Sequence, residues 1–84
     1  VLMYKSALAI NPDTSIHNNL GVAYYMSGKN DLAIEEYKKA IQLNPVHIDA
    51  HNNLGIAYES IGKKDEALSE YKKACDLGYK DACR

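Results

Sequence analysis

The sequence predicts an all-α fold, an α-α superhelix in which antiparallel helix hairpins stack into a solenoid. Shifting the 84-residue chain by 34 positions aligns residues 14–47 with residues 48–81 without a gap, and 17 of the 34 pairs are identical. Within each unit, helix-breaking residues separate two stretches that are long enough to form helices. Self-similarity at a fixed period of this length is the signature of a helical repeat protein.

The helix-breaking residues delimit the predicted helices in chain order. Gly28 and Gly62 follow the first helix of each unit, because a residue that can adopt positive φ can end a helix and turn the chain. Pro12 and Pro45 follow a second helix, because proline has no N–H with which to continue the helical hydrogen bonds. The predicted helices cover residues 1–11, 14–27, 30–43, 48–61 and 64–77, with a short helical or frayed tail after residue 79.

The register of the repeat divides the chain into consecutive repeat units, which together form a single segment. Residues 14–47 and 48–81 form two full units. The opening stretch YKSALAINP matches YKKAIQLNP of the first full unit, so residues 1–13 are predicted to be the second helix of a preceding repeat. Residues 82–84 are predicted to begin a following helix or to form a frayed tail. The chain is therefore interpreted as a fragment of a larger protein.

Composition and charge exclude several classes of function. Ten basic residues stand against eleven acidic ones, which leaves no basic surface for a phosphate backbone, so nucleic acid is not an expected partner. No apolar run reaches the about 18 residues that a membrane span requires, so a membrane is not expected either. No nucleophile with its base, phosphate-binding glycine loop or converging carboxylate pair is present. We therefore expect neither enzymatic activity nor a cofactor.

The repeated residues resemble the tetratricopeptide repeat (TPR) family in order and spacing. The two units contain LGVAYYMSGKNDLAIEEYKKAIQLNP and LGIAYESIGKKDEALSEYKKA. The second unit has Tyr79 where the family has its final proline. The matching residues are Leu20, Gly21, Tyr24, Ala33, Tyr37, Ala40 and Pro45 in the first unit and Leu54, Gly55, Tyr58, Ala67, Tyr71 and Ala74 in the second. The resemblance implies a right-handed solenoid that binds a protein or peptide without catalysis.

Helical spacing assigns a packing face to the first helix of each unit. His17, Leu20 and Tyr24 lie at steps of three and four residues on one stripe, and the second unit repeats this pattern. Gly21 lies beside the stripe and permits close contact between helices. We interpret His17 and His51 as partly buried rings. No metal site is expected, because zinc needs converging ligands, whereas corresponding residues of adjacent packed helices are roughly 10 Å apart.

The resemblance implies that the opposite face of the first helices lines the concave wall of the solenoid, where an extended peptide or a partner helix binds. Asn19 and Asn53 resemble an asparagine ladder in some superhelical members of the family, which binds the backbone of an extended peptide. An amide suits this role because it both donates and accepts hydrogen bonds. Local hydrogen bonding or solvent exposure is the alternative. The residues on this face that are expected to contact peptide side chains are Asn18, Val22, Tyr25, Asn52, Ile56 and Glu59.

Two further expectations concern the outer surface and the ends of the solenoid. The runs EEYKK and SEYKK are predicted to be solvated, with Glu35 and Lys39 spaced for an ordinary i,i+4 ion pair. Two and a half units leave apolar faces uncovered at both ends. Self-assembly into a homo-oligomer through these uncapped ends is therefore the alternative function.

The cysteines lie in the C-terminal stretch KKACDLGYKDACR. Cys75 and Cys83 are eight residues apart, a spacing that fits no usual zinc signature. The ACDLG and AC elements resemble Sel1-like repeats, relatives of the TPR family, some secreted members of which bridge cysteines at this spacing. A disulfide and two reduced thiols are both open at this point. A cytoplasmic location is favoured, whereas a bridge would indicate an exported or periplasmic protein.

Overall fold

The computed structural model describes residues 12–83, which form four α-helices and a short final 3-10 helix. The α-helices are α1 (Pro12–Met26), α2 (Asn30–Leu43), α3 (Ile48–Ser60) and α4 (Lys64–Asp76), and the 3-10 helix is Lys80–Ala82. The described residues contain no strand, so the all-α prediction is confirmed. None of these helices is long and apolar enough to cross a membrane. The helix predicted over residues 1–11 lies outside the described residues, as does residue 84.

The helices pack as two stacked hairpins. Each helix contacts the next one in the chain, and α1 also contacts α3. Because the connections are only three or four residues long, consecutive helices run antiparallel. The first hairpin consists of α1 and α2, and the second of α3 and α4. This arrangement is the predicted solenoid, in which α1 and α3 are the first helices of successive units.

Glycines with positive φ make the turn inside each hairpin, as predicted. Gly28 has φ of 80° and Gly62 has φ of 83°. At the first turn, the backbone N–H of Lys29 donates to the carbonyl of Tyr24 at 2.8 Å. This bond satisfies one of the carbonyls that the end of α1 leaves without a helical partner. The second turn repeats the arrangement, which gives both hairpins the same connection.

The start of α1 differs from the prediction. Pro12 and Asp13 were expected to belong to the segment before the first full unit, but α1 begins at Pro12. Proline is tolerated at this position because the first N–H groups of a helix have no helical partner. The carboxylate of Asp13 in the first turn also suits the positive end of the helix dipole. Pro45, in contrast, lies in the connection between α2 and α3, as predicted.

A tyrosine packed against a glycine holds each hairpin together. Tyr37 and Tyr71 are each 2% exposed. A Cβ atom added to Gly21 would lie 2.5 Å from Cε1 of Tyr37, and one added to Gly55 would lie 2.8 Å from Cε1 of Tyr71. Such distances are too short for any real contact, so the rings occupy the space that a side chain would need. The interpretation of these glycines as packing devices is confirmed.

The predicted packing stripe of α1 is only partly covered. Leu20 is 40% exposed, whereas Leu54, its counterpart in α3, is 2% exposed. Leu54 packs in a cluster with Ile34 and Tyr37 of α2. Within the described residues Leu20 is therefore not packed as predicted. The contact that buries Leu54 comes from α2, the second helix of the preceding hairpin, and the helix predicted before α1 lies outside the described residues.

Candidate peptide-binding surface

The first helices of the two hairpins lie side by side and are joined by two side-chain hydrogen bonds. The amide of Asn53 donates from Nδ2 to Oδ1 of Asn18 at 3.1 Å. The hydroxyl groups of Tyr25 and Ser60 lie 3.3 Å apart. We call the surface formed by α1 and α3 the first-helix wall. The residues predicted to line it are Asn18, Asn19, Val22, Tyr25, Asn52, Asn53, Ile56 and Glu59.

Asn18 does not have the exposure that the sequence predicted. It is only 8% exposed, and its side-chain oxygen accepts the hydrogen bond from Asn53. The prediction that Asn18 is displayed to a partner is therefore wrong. Its side chain lies on the flank of α1 that faces α3, so it joins two repeats. A single helix considered alone could not reveal this, because the contact depends on how successive units stack.

The two asparagines of the predicted ladder differ in the hydrogen-bonding groups that remain available to a ligand. Asn19 is exposed, and the described residues provide no hydrogen-bond partner for its side chain. Asn53 is half-buried and uses one N–H to donate to Asn18. An amide has two N–H donors and a carbonyl acceptor. Asn53 therefore retains one donor and its acceptor, while Asn19 retains its full capacity.

Three half-buried apolar side chains extend from the core to the wall. Val22 and Tyr25 pack against the cluster that contains Tyr37, and Ile56 packs against the cluster that contains Tyr71. Their positions are therefore fixed by the core of each hairpin. The exposed parts of these side chains give the wall an apolar component, and Asn52 is half-buried beside them.

Glu59 is exposed on the wall and is oriented by a buried tyrosine. The hydroxyl of Tyr71 donates to Oε1 of Glu59 at 2.8 Å. Because Tyr71 is 2% exposed, its ring has little freedom and holds the carboxylate in place. Sequence spacing placed Glu59 on the wall, but it gave no indication of this hydrogen bond.

A buried histidine and glutamate connect the two helices of the second hairpin. Nδ1 of His51 lies 2.7 Å from Oε1 of Glu70, and its Nε2 lies 2.7 Å from the carbonyl oxygen of Pro45. Lys73 donates to Oε2 of Glu70 at 3.2 Å. His51 is 4% exposed and Glu70 is 9% exposed. His51 was expected to be partly buried and is almost fully buried, and its polar partners were not predicted.

The first hairpin repeats this arrangement with His17, Glu36 and Lys39. Nδ1 of His17 lies 2.7 Å from Oε1 of Glu36, and Lys39 donates to Oε2 of Glu36 at 3.2 Å. The prediction that Lys39 pairs with Glu35 is wrong, because Glu36 is the glutamate that faces α1. The repeated histidine and glutamate, 19 residues apart in each unit, are the sequence signal that could have indicated these pairs.

The pairing of Glu36 predicts a loss of stability in acid. The hydrogen bond from His17, supported by Lys39, lowers the pKa of Glu36 below its ordinary value of 4.5, against the opposing effect of burial. A carboxyl with a lowered folded pKa contributes stability above its unfolded pKa and loses it as the pH falls through the folded value. The free energy of unfolding, measured by denaturant titration, should therefore decrease below about pH 4.5.

The variants Glu36→Gln and Glu35→Gln separate this effect from general acid unfolding. Glu36→Gln should reduce the dependence of unfolding free energy on acidic pH, whereas Glu35→Gln, on the exposed side of α2, should leave it nearly unchanged. Equal pH profiles for the wild type and Glu36→Gln would contradict the assignment.

The third histidine caps a helix. Nδ1 of His47 accepts a hydrogen bond from the backbone N–H of Ala50 at 3.1 Å, at the start of α3. This contact satisfies one of the N–H groups that a helix N-terminus leaves open. In residues 12–83, no three histidine, cysteine or acidic side chains converge on a common point.

Cys75 and Cys83 form a disulfide. The bridge ties α4 to the residues that follow the final 3-10 helix, with 4.9 Å between the Cα atoms. Gly78, with φ of 119°, turns the chain between them. Ala82 is 2% exposed and packs against Tyr71 and other α4 residues. Of the two states left open by the spacing, the structure contains the bridged one.

Comparison with family models gives one consistent result. A model described as TPR repeat matches residues 23–62, and a model described as Tetratricopeptide repeat matches residues 48–81. The two matches together span more than half of the chain. It belongs to the tetratricopeptide repeat family. TPR units generally mediate protein–protein interactions and are typically non-enzymatic modules. The resemblance of the tail to Sel1-like repeats stays a prediction.

The TPR chain is also similar to solved structures. It is 37% identical to a crystal structure of MamA, with a TM-score of 0.76, over 95% of this chain and 47% of that one. A second MamA crystal structure is 38% identical, with a TM-score of 0.73, over 93% of this chain and 43% of that one. A MamA mutant is 36% identical, with a TM-score of 0.75, over 86% of this chain and 51% of that one. The TPR chain thus spans about half the length of these structures. It matches no curated protein.

Proposed function

We propose that this TPR segment binds an extended peptide along the first-helix wall. The observation that carries the proposal is the pair Asn19 and Asn53. They occupy the same position in successive first helices, and both keep hydrogen-bonding groups that the described residues do not use. Each such side chain can accept from a backbone N–H of a peptide and donate to a backbone carbonyl.

The spacing of the two amides suits an extended backbone. Neighbouring packed helices lie roughly 10 Å apart, and an extended chain advances about 3.3 Å per residue. Asn19 and Asn53 would therefore meet every third residue of the peptide. Val22 and Ile56 lie on the same wall and supply apolar contact to the side chains in between. A helical partner fits less well, because its backbone groups are already engaged in its own hydrogen bonds.

Replacing Asn19 with alanine provides the direct test. The variant should bind peptide about 5- to 30-fold more weakly, because one or two net hydrogen bonds contribute about 1 kcal/mol each. Its stability should be unchanged, since Asn19 is exposed. Blocked peptides selected from a random library against the wild type would be titrated calorimetrically into both proteins. Gln42→Ala removes an exposed amide from α2 and is the matched control, with unchanged affinity expected.

Two results would count against peptide binding on this wall. One is equal affinity of the wild type and Asn19→Ala for the selected peptides, with intact helices by circular dichroism. The other is the selection of no binding peptide at all. Asn53→Ala is a weaker test, because it also removes the hydrogen bond to Asn18 that joins the repeats.

Self-association is the second candidate function, and the exposure of α4 favours it. Leu68 is 53% exposed, whereas its counterpart Ile34 in α2 is 8% exposed. Ile34 lies in the cluster that contains Leu54 of α3. The face of α4 that corresponds to this contact opens onto a cavity of about 340 Å³. Its lining residues are Leu68, Tyr71, Lys72, Cys75, Ala82 and Cys83.

The helix that would fill this face in a second copy is α1. Its residues Ile16 and Leu20 are 60% and 40% exposed, while Ala50 and Leu54, their counterparts in α3, are buried. Stacking α1 of one copy on α4 of another would repeat the contact between α2 and α3, in a head-to-tail assembly. In this assembly α4 of one copy would take the place predicted for residues 1–11 of the other. Sedimentation at several concentrations distinguishes the two candidates, since a strict monomer at every concentration contradicts self-association.

A further inference from the structure

We propose that the first-helix wall contains a subsite for a positively charged side chain, formed by Glu59 and the hydroxyl of Tyr25. This inference rests on the proposed peptide binding and specifies the chemistry of the peptide. The occupant would be a lysine or arginine of the bound segment. The subsite lies toward the C-terminal ends of α1 and α3.

The charges of the first helices favour a cationic ligand. Neither α1 nor α3 contains a lysine or arginine, although both helices contain acidic residues. The lysines of the described residues lie in α2, α4, the connections and the final 3-10 helix. A wall that carries the Glu59 carboxylate and no basic side chain attracts cations and disfavours an acidic segment or a free C-terminal carboxylate.

Glu59 differs from the buried glutamates in its partners. Glu36 and Glu70 each contact a histidine and a lysine of their own hairpin. The hydrogen-bond partner of Glu59 is the neutral hydroxyl of Tyr71, and no basic side chain within residues 12–83 forms an ion pair with Glu59. Its carboxylate is therefore held in place without a counter-charge, and Oε2 is available to accept from a ligand.

The hydrogen bonds of Ser60 show that Tyr25 also offers an acceptor. Oγ of Ser60 donates its one hydrogen to the carbonyl of Ile56 at 3.0 Å. In the 3.3 Å contact between Ser60 and Tyr25, the tyrosine must therefore be the donor. Its oxygen can then still accept a hydrogen bond. Because Ser60 directly follows Glu59, this acceptor lies at the same turn of α3 as the carboxylate.

The two groups together recognise a donor with positive charge. An ammonium or guanidinium group has only donors, so it can satisfy both the Glu59 carboxylate and the Tyr25 oxygen. A charge-assisted hydrogen bond to the carboxylate is stronger than a bond between neutral groups. The aromatic ring of Tyr25 adds a surface to which cations are attracted. A neutral or acidic side chain gains neither the charge-assisted hydrogen bond nor the attraction of a cation to the ring.

The experiment uses the library-selected peptides and begins with their composition. Lysine or arginine should be enriched at one position of the selected sequences. A peptide with arginine at that position is then compared with the same peptide carrying citrulline, which has a similar shape but no charge. The wild type should bind the arginine peptide about two- to fivefold more tightly, the range of an exposed ion pair, and added salt should reduce the difference.

The variant Glu59→Gln should abolish the difference between the two peptides while the affinity for the citrulline peptide stays unchanged. Glu66→Gln, on the exposed surface of α4, is the matched control and should retain the difference. Equal affinity of the wild type for both peptides, or selection without enrichment of basic residues, would overturn the subsite. Loss of binding in Asn19→Ala would still support peptide binding in that case, whereas failure to select any peptide would overturn both proposals.

Discussion

Replacing Tyr37 with alanine is expected to lower the free energy of unfolding by about 3–5 kcal/mol, the range for removal of a large aromatic ring from a core. Tyr37 is the largest fully buried side chain in the described residues and packs with residues of α2 and α3. Its ring also lies over Gly21, which has no side chain to fill the resulting cavity. Small domains have a total stability of only about 5–15 kcal/mol, so the folded fraction should decrease markedly.

The measurement is chemical denaturation followed by circular dichroism, with Tyr37→Phe as the matched control. The phenylalanine variant keeps the ring that fills the space over Gly21, so it should lose far less stability than Tyr37→Ala. A loss in Tyr37→Ala no larger than that in Tyr37→Phe would show that the ring does not hold the hairpin together.

The alkaline range provides a second readout for this tyrosine. Burial, with a smaller contribution from Tyr25, raises the pKa of Tyr37 to about 12 from its ordinary value of 10.0. A raised folded pKa means that the stabilising contribution is complete below the unfolded pKa and is lost as the pH rises through the folded value. The wild type should therefore lose stability above pH 10, and Tyr37→Phe should lose less over the same range.

The helices could be predicted from the sequence because their signals are local. The range 30–43 predicted for the second helix is the range observed for α2, and Gly28 has the positive φ expected of a turn. A glycine or proline acts on the backbone next to it, so its effect does not depend on the rest of the fold. The start of α1 was predicted two residues too late because a proline can begin a helix as well as follow one.

The site could be predicted only in part, because several of its contacts connect different units. Spacing placed Asn18, Asn53 and Glu59 on one face of their helices, but it could not show that Asn53 donates to Asn18. That bond depends on how the second hairpin rests on the first. The hydroxyl that orients Glu59 likewise comes from Tyr71, on the neighbouring helix. A single helix contains no information about such partners.

The charged runs are a further example of contacts that the sequence does not reveal. EEYKK reads as a solvated surface, and the spacing of Glu35 and Lys39 is that of an ordinary ion pair. The neighbouring Glu36 is instead 8% exposed and contacts His17 across the hairpin. Adjacent residues of a helix point about 100° apart, so one glutamate faces α1 while the other faces solvent. The composition of the run does not determine which one is buried.

Replacing Glu70 with alanine is expected to destabilise the protein by about 3–5 kcal/mol, the range for breaking a buried ion pair from one side. Both ring nitrogens of His51 lie 2.7 Å from oxygen acceptors, the Glu70 carboxylate and the Pro45 carbonyl. The Pro45 carbonyl can only accept, so Nε2 donates to it, and Nδ1 pairs with the Glu70 carboxylate. Without Glu70, Nδ1 is left without its polar partner in a site where His51 is 4% exposed.

Two comparisons make this expectation specific to the buried pair. Lys73→Ala removes the other partner of Glu70, but this lysine side chain is 54% exposed, so the loss should be below about 1 kcal/mol. The double variant His51→Phe with Glu70→Leu removes both partners of the pair and keeps apolar volume, and such replacements of buried pairs are often neutral or stabilising. It should therefore recover most of the stability lost in Glu70→Ala.

If Glu70→Ala is no more harmful than Lys73→Ala in denaturant titrations, the pair does not stabilise the hairpin. If the double variant is as unstable as Glu70→Ala, the loss comes from packing, and the unpaired ring of His51 is not its cause.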